Sequence, residues 1–468
     1  MNKKIIIGAA LALFTAMSMS AATYTFKIAK PMDKTDRLRD YGLAFLLYEH
    51  GLGVCEYELI RELFIFIKLI LNSYLSFLLK KGGVLYLQIS IMKTLIRCQE
   101  LKYYFTAFCL LLGSIMPIDA QTIRQIEVSF PILKGKMKLQ GVVSQVAEAP
   151  QQSPILVLVT PPQAFNRDYV GFFKALSDSL NRKGYTTFRY DNRSYSDTLQ
   201  GNQPHEGRYT MYDAADDLHD ALAFLKSDER FASHPVGVIG HSEGGSVAII
   251  EASRNTEVKQ LLLLATMGVK GEQVYYEQIM SRLTPFFKWH SYSESNILRY
   301  MIYRIARILA SEPRDKQAIK ELQKEMAKIY QQHASLINSS FGVQTQQEFV
   351  KSQTEPFKND ARLLAATRYN PEKYLQSIRC PIFIAYAKND NLLNYIEHQK
   401  GIECTLLKYQ HFNFFSIAID DANHSFEDQE GYLPLYVSVH RKEPKLYLGQ
   451  AFTTLLDNIT KWLQISTN

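Results

Sequence analysis

The chain has 468 residues, of which 47% are hydrophobic and 21% charged, with 23 glycines and 16 prolines spread along its length. This composition excludes a disordered or fibrous protein and allows a sizeable core in one large domain with an insertion. The formal net charge is +7, but residues 1–91 hold 11 Lys/Arg against 7 Asp/Glu, and residues 121–468 are near neutral. No segment concentrates basic residues on one face, so we do not predict that the protein binds nucleic acid.

Two segments near the N-terminus have the pattern of a secretory signal peptide. Residues 1–22 start with two lysines, continue with an apolar run and end in small residues, and residues 92–120 repeat this pattern. One protein rarely needs two such signals. We therefore predict that residues 1–91 are a non-catalytic upstream extension, that the working protein starts at Met92 and is cleaved near Ala120, and that it is exported to the periplasm or the extracellular space.

The alternative is a genuine membrane-anchored N-terminal region. Residues 63–79 form an apolar stretch interrupted by Lys68 and Asn72, which is marginal for a span of about 20 apolar residues.

From Gln121 onward, short strand patterns alternate with helical ones, which predicts a largely parallel sheet with helices on both faces. Residues 155–159 are a continuous apolar run, typical of a buried parallel strand. Helical spacing is found in residues 169–182 and 211–226. The other predicted strands are residues 123–130 and 137–143, which form a hairpin, and residues 186–190, 236–239, 260–265, 381–387 and 414–419.

Between Met267 and Arg379 the sequence has helical patterns only. In residues 316–332, for example, the apolar residues Ile319, Leu322, Met326 and Ile329 share one helix face. We predict an α/β fold with a mostly parallel eight-stranded sheet, helices on both faces, and a helical cap at about residues 268–379 inserted after strand 6. The cap is rich in aromatic residues, which indicate either an apolar pocket or packing of the cap onto the body. These residues are Tyr275, Tyr276, Phe286, Phe287, Trp289 and Tyr292.

The segment Gly240-His241-Ser242-Glu243-Gly244 lies between an apolar strand and a helical pattern. It matches the G-x-S-x-G elbow, in which a strained turn exposes a serine nucleophile above the sheet and glycines are needed where backbone segments approach closely. A G-x-S-x-G match alone can occur by chance, but this strand-turn-helix context predicts Ser242 as the nucleophile. The amide of Glu243, at the positive end of the following helix, is a predicted oxyanion donor.

A serine hydroxyl needs a base, and the base needs a carboxylate that orients it; in this fold the chain order is serine, acid, histidine. Asp390 follows the strand of residues 381–387 and is the predicted acid, with a plain turn aspartate as the alternative. His424 follows the strand of residues 414–419 and is the predicted base.

Four other histidines are weaker candidates. His411 is the nearest rival but precedes the last strand, whereas His205 and His219 precede the serine and break the order. His241 is expected to be a packing or hydrogen-bonding neighbour.

Together these motifs resemble the bacterial α/β-hydrolases related to prolyl oligopeptidases and dienelactone hydrolases, a group of exported or cytosolic esterases and serine-aminopeptidase-like proteins. The resemblance covers about residues 121–468. It is carried by Phe188-Arg189-Tyr190-Asp191-Asn192-Arg193, the elbow of residues 240–245, Tyr369-Asn370-Pro371, Cys380-Pro381 and Asn423-His424.

One departure from this family concerns the oxyanion hole. The family has a glycine-rich loop after the third strand that supplies the second oxyanion amide, whereas this chain has Thr160-Pro161-Pro162-Gln163-Ala164. Because proline has no N–H, the second donor is predicted to be Gln163 or Ala164.

The sequence thus predicts a serine hydrolase that cleaves a carboxylic ester through an acyl-enzyme. The alternatives are an aminoacyl- or dipeptidyl-peptidase-like amide hydrolase and, because of Pro161 and Pro162, a catalytically impaired binding protein on the same scaffold. The five cysteines have no spacing suited to zinc, and no metal or other cofactor is predicted. The predicted partner is a small-molecule ester or peptide substrate, with membrane contact only through an uncleaved N-terminal segment.

Overall fold

The computed structural model describes residues 123–146, 153–199, 207–428 and 448–466. All of them belong to one of the two structural units of the chain, Asp119–Asn468. The predicted extension of residues 1–91, the signal-like segment of residues 92–120 and His205 lie outside the described residues, so these assignments stay predictions.

Eight strands form a single sheet in the order β1-β2-β4-β3-β5-β6-β7-β8. β2 is antiparallel to both of its neighbours, and all other pairs are parallel. The predicted mostly parallel eight-stranded sheet is confirmed. The strands are β1 (Ile123–Ile132), β2 (Met137–Val146), β3 (Ile155–Val159), β4 (Thr186–Tyr190), β5 (Val236–His241), β6 (Val258–Leu264), β7 (Ile382–Ala387) and β8 (Phe414–Ile419).

Twelve α-helices lie in the described residues. They are α1 (Phe172–Arg182), α2 (Arg193–Leu199), α3 (Met211–Ser227), α4 (Glu243–Ala252), α5 (Gly271–Phe287), α6 (Tyr292–Ser311), α7 (Asp315–Phe341), α8 (Gln346–Lys358), α9 (Ala361–Arg368), α10 (Glu372–Leu375), α11 (Tyr395–Lys408) and α12 (Gln450–Ser466). Among these, none has both the length and the apolar character needed to cross a membrane.

Alternate residues of β3 face the two sides of the sheet, as strand geometry requires. Ile155, Val157 and Val159 join an apolar cluster with residues of α3 and α4, whereas Leu156 and Leu158 join another with residues of α1 and α12. All five are nearly inaccessible to solvent. Burial on both faces explains the unbroken apolar run of this strand.

The predicted helix of residues 169–182 is wrong at its start. α1 begins only at Phe172, because Tyr169, Val170 and Gly171 have φ values of 45°, 57° and 87°, which are not helical. The ring of Tyr169 is buried, and its hydroxyl hydrogen-bonds a histidine on β5. This long-range contact overrides the local helical spacing.

The helices α5–α10 lie between β6 and β7, where the insertion was predicted. They have an apolar cluster of their own, which includes the predicted face of α7. Tyr275 and Tyr276 pack against this cluster, so they contribute to the insertion's own core and do not test whether the aromatic residues hold the cap onto the body. Trp289 and Tyr292, in contrast, are 86% and 93% exposed and fit neither interpretation.

Candidate active site

The residues predicted for catalysis follow the carboxyl ends of parallel strands, which meet at one edge of the sheet, where α/β enzymes bind their ligands. Ser242 follows β5, Asp390 lies just beyond β7, and His424 lies in the loop after β8. The loop that begins at Thr160 follows β3, the neighbour of β5.

Ser242 lies in a strained turn between β5 and α4. Its φ and ψ are 56° and −128°, a conformation that costs about 1–3 kcal/mol for a residue other than glycine. The N–H of Ser242 donates to the carbonyl oxygen of Leu264 at 2.9 Å, which ties the turn to the end of β6. This is the backbone geometry expected of a nucleophile elbow.

Two glycines permit this turn because backbone atoms occupy the space of a side chain. A Cβ atom at Gly240 would lie 2.5 Å from the carbonyl oxygen of Gly244, and one at Gly244 would lie 2.2 Å from the carbonyl oxygen of Val159. Both separations are shorter than any normal van der Waals contact. The predicted need for glycine at these two positions is confirmed.

We expect Gly244→Ala to lower the free energy of unfolding by about 3 kcal/mol, because the added methyl group forces β3 and α4 apart. Chemical denaturation measures this change. The matched control is Gly135→Asn. Gly135 has a φ of 84°, and a Cβ atom added there would meet no atom of the described residues within 4 Å, while asparagine tolerates left-handed backbone. Equal stability of the Gly244→Ala variant and the parent protein would contradict the tight approach.

Asp390 and His424 form a buried acid-base pair. The Nδ1 atom of His424 lies 2.6 Å from Oδ2 of Asp390, and the two side chains are 5% and 0% exposed. Oδ1 of Asp390 accepts the backbone N–H groups of Leu392 and Leu393 at 2.8 and 3.0 Å. Burial by itself raises the pKa of Asp390, but the charge and hydrogen bond of His424 and the two amides outweigh it and lower that pKa overall. Asp390 is therefore a carboxylate at neutral pH.

This pairing sets the chemistry of the imidazole. With Nδ1–H donating to the carboxylate, the neutral ring carries its acceptor lone pair on Nε2. Nε2 of His424 is buried and has no hydrogen-bond partner among the residues that the structure describes. A buried acceptor without a partner is rare in a folded protein, and the base predicted from the sequence requires such an acceptor.

The rival histidines have other partners. Nε2 of His411 lies 3.0 Å from the carbonyl oxygen of Cys380, and Nδ1 of His219 lies 2.8 Å from a carboxylate oxygen of Glu251.

His241 connects the elbow to the loop of His424. Its Nε2–H donates to the carbonyl oxygen of His424 at 2.7 Å, so its Nδ1 accepts the hydroxyl of Tyr169 at 3.1 Å. Burial, and then the charge of His424, lower the pKa of His241 to about 3, so the ring stays neutral. The sequence predicted a neighbour role for His241 but not this partner, and it missed Tyr169 because helical spacing masked it.

The low pKa of His241 links stability to pH. In the unfolded chain the imidazole has a pKa of about 6.5, so the contribution of this group is complete above that pH and is lost as the pH falls towards 3. At pH 5 the loss is about 2 kcal/mol. We expect His241→Gln, whose amide can keep both hydrogen bonds, to show a drop in unfolding free energy from pH 8 to pH 5 that is smaller by this amount. Denaturation at both pH values measures it, and an equal drop in both proteins contradicts the assignment.

The predicted oxyanion donors differ in their availability. The amide of Glu243 belongs to the first turn of α4, where N–H groups have no intrahelical acceptor. The amide of Gln163 donates to the carbonyl oxygen of Pro161 at 2.8 Å, so it is engaged within its own loop. Of the two second donors predicted, Ala164 is the better candidate, although its role stays a prediction.

The run of residues 188–193, which resembles a family motif, supports this loop. The side chain of Asn192 donates to the carbonyl oxygens of Pro161, at 3.2 Å, and of Gln163. The charged residues of the run form ion pairs: Arg189 with Asp168, Asp191 with Arg167, and Arg193 with Asp217. The motif thus has a structural role beside the site.

Glu243 links the elbow to the helical insertion. Its Oε2 atom accepts from Nη1 of Arg362 on α9 at 2.8 Å. The carboxylate is buried, and burial raises its pKa while Arg362 opposes that rise. The sequence did not indicate this pair, which joins residues 119 positions apart.

In the described part of the chain, no three His, Cys, Asp or Glu side chains are grouped in a way that could hold a metal ion. The open, mostly parallel sheet and the strained serine turn at its carboxyl edge define an α/β-hydrolase. The family model described as serine aminopeptidase, S33 matches residues 166–412, just over half of the chain, and the protein belongs to this hydrolase family.

Solved structures similar to the chain include an esterase from Pyrococcus furiosus, with 16% identity and a TM-score of 0.42 over 75% of this chain and 94% of that one. A thermostable carboxyl esterase from Bacillus coagulans has 14% identity and a TM-score of 0.43 over 74% and 100% of the two chains. A dienelactone hydrolase from Anabaena variabilis has 12% identity and a TM-score of 0.37 over 74% and 98%. None of the curated proteins compared with the chain matches it.

Proposed function

We propose that this hydrolase cleaves carboxylic esters through an acyl-enzyme, with Ser242 as nucleophile, His424 as general base and Asp390 as the carboxylate that orients the base. The observation that carries the proposal is the buried Asp390–His424 pair. Nε2 of His424 has no hydrogen-bond partner among the described residues, and His241 holds the backbone of His424 against the elbow.

In the first half of the reaction, Nε2 of His424 takes the proton of the Ser242 hydroxyl as its oxygen bonds to the ester carbonyl carbon. The negative charge that develops on the carbonyl oxygen is stabilised by the amides of Glu243 and Ala164. The bond to the alcohol oxygen then breaks, and the alcohol leaves with the proton held by His424. In the second half, water gives a proton to His424 and attacks the acyl carbon. The bond from that carbon to the Ser242 oxygen then breaks as His424 returns the proton to this oxygen, which releases the acid and restores the serine hydroxyl.

A fluorophosphonate probe tests the nucleophile directly, because it modifies only an activated serine. We expect covalent labelling of the peptide that contains Ser242, identified by mass spectrometry, with labelling blocked by prior incubation with an aryl ester. Absence of labelling in folded protein would overturn the proposal and favour the impaired binding protein.

The family description supports a second candidate, hydrolysis of an aminoacyl amide. An aminopeptidase needs a negative group that binds the free α-amine of its substrate, and the carboxylate next to Ser242, Glu243, already pairs with Arg362. This pairing favours the ester. Aryl esters and aminoacyl anilides with the same leaving-group chromophore should therefore differ, with higher kcat/KM for the esters, and the opposite order would select the peptidase.

We also propose that the protein is exported, and only the signal-like segments of its sequence support this. We expect N-terminal sequencing of the secreted protein to start near Gln121. A mature end near Ala22 would contradict the assignment of residues 1–91 as an extension.

A further inference from the structure

The outer face of α6 and the turn before it carry aromatic residues that nothing in the described structure covers. Four of them are exposed by about half or more, which is unusual for side chains of this size. They are Trp289 at 86%, Tyr292 at 93%, Tyr300 at 51% and Tyr303 at 49%. The three tyrosines are spaced so that they share one face of the helix.

Basic residues accompany these rings. Arg282, Lys288 and Arg299 are exposed, and Arg299 stacks on the ring of Phe287 at 5.2 Å. Within the described residues, no carboxylate forms an ion pair with any of these three cations. The one acidic residue between positions 281 and 303, Glu294, is held in the capping box of α6 by Ser291. Three exposed cations against this one carboxylate give the aromatic-basic surface a net positive charge.

The aliphatic residues of α6 are on its other side. Met301, Ile302, Ile305 and Leu309 are buried in the core of the insertion. The exposed face thus contains tyrosine and tryptophan but no leucine or isoleucine. Rings with an apolar body and a polar tip suit the boundary between lipid headgroups and acyl chains, where one end is apolar and the other hydrated.

We propose that the aromatic-basic surface docks the hydrolase on an anionic lipid bilayer, with the rings in the headgroup region and the three cations against acidic phospholipids. A second copy of the chain fits less well, because a symmetric contact through this face would bring like charges together. The docking differs from the N-terminal membrane contact predicted from sequence and does not depend on the proposed ester hydrolysis.

Tryptophan fluorescence of the full chain provides the test. The chain has two tryptophans, and Trp462 is only 8% exposed, so a change in emission reports on Trp289. With vesicles of phosphatidylcholine that contain roughly 30 mol% of the anionic lipid phosphatidylglycerol, we expect a blue shift and quenching by brominated lipid. Trp289→Phe must abolish both. Because neither tryptophan lies in residues 1–120, vesicle binding by the N-terminal segment cannot imitate this signal.

Charge removal tests the electrostatic part. Lys288→Gln with Arg299→Gln should weaken vesicle binding about fivefold for each charge, and added salt should have a similar effect. The matched controls are Lys183→Gln and Phe412→Ala, an exposed cation and a 72% exposed ring outside the surface, which should leave the shift unchanged. An unshifted Trp289 emission at saturating vesicle concentration would overturn the proposal. A shift that follows protein concentration without vesicles would also overturn it and indicate self-association.

Discussion

Ser242→Ala is expected to lower ester turnover by a factor of about 10⁴ or more. The substitution removes the only atom that can form the acyl-enzyme in the proposed mechanism, while binding and the oxyanion amides remain. Steady-state hydrolysis of an aryl ester measures the loss, and it should appear in kcat rather than KM.

The control for this variant is Ser253→Ala. Ser253 follows the same helix, α4, and its hydroxyl donates to the carbonyl oxygen of Ile250 at 2.7 Å. This change should leave turnover within about twofold of the parent, since it touches no predicted catalytic group. If the Ser242→Ala protein folds normally and keeps its turnover, the nucleophile is a different residue.

Asp390→Asn is expected to lower kcat by a factor of about 10⁴, the magnitude known for this change in another serine hydrolase fold. An asparagine amide keeps the size of the side chain, but its NH₂ group can donate to Nδ1 of His424. The imidazole proton then moves to Nε2, the atom that must accept the serine proton, and the base has the wrong tautomer.

Two further measurements separate this effect from a structural one. Asparagine Oδ1 can still accept the amides of Leu392 and Leu393, so the thermal midpoint should change far less than kcat. Asp421→Asn, an exposed aspartate in the loop before His424, should leave kcat unchanged. A kcat that survives Asp390→Asn would mean that another carboxylate orients His424.

Much of the site was predictable because its signals are local. The elbow consists of consecutive residues that match a known motif, and Gly240 and Gly244 have the close backbone contacts that the motif requires, at Gly240 with Gly244 and at Gly244 with Val159 on β3. The strands were predictable for the same reason. β3 and β8 have the predicted limits, Ile155–Val159 and Phe414–Ile419. For β3 the reason is that burial of consecutive residues leaves its pattern directly in the sequence.

The sequence by itself therefore determined the order of the strands along the chain, the position of the insertion and the serine turn. Tertiary structure alone decided three other contacts: His241 with the backbone of His424, Tyr169 with His241, and Glu243 with Arg362. These contacts join residues from 72 to 183 positions apart. Local spacing carries no information about such pairs, because they depend on how strand ends and loops pack at the edge of the sheet.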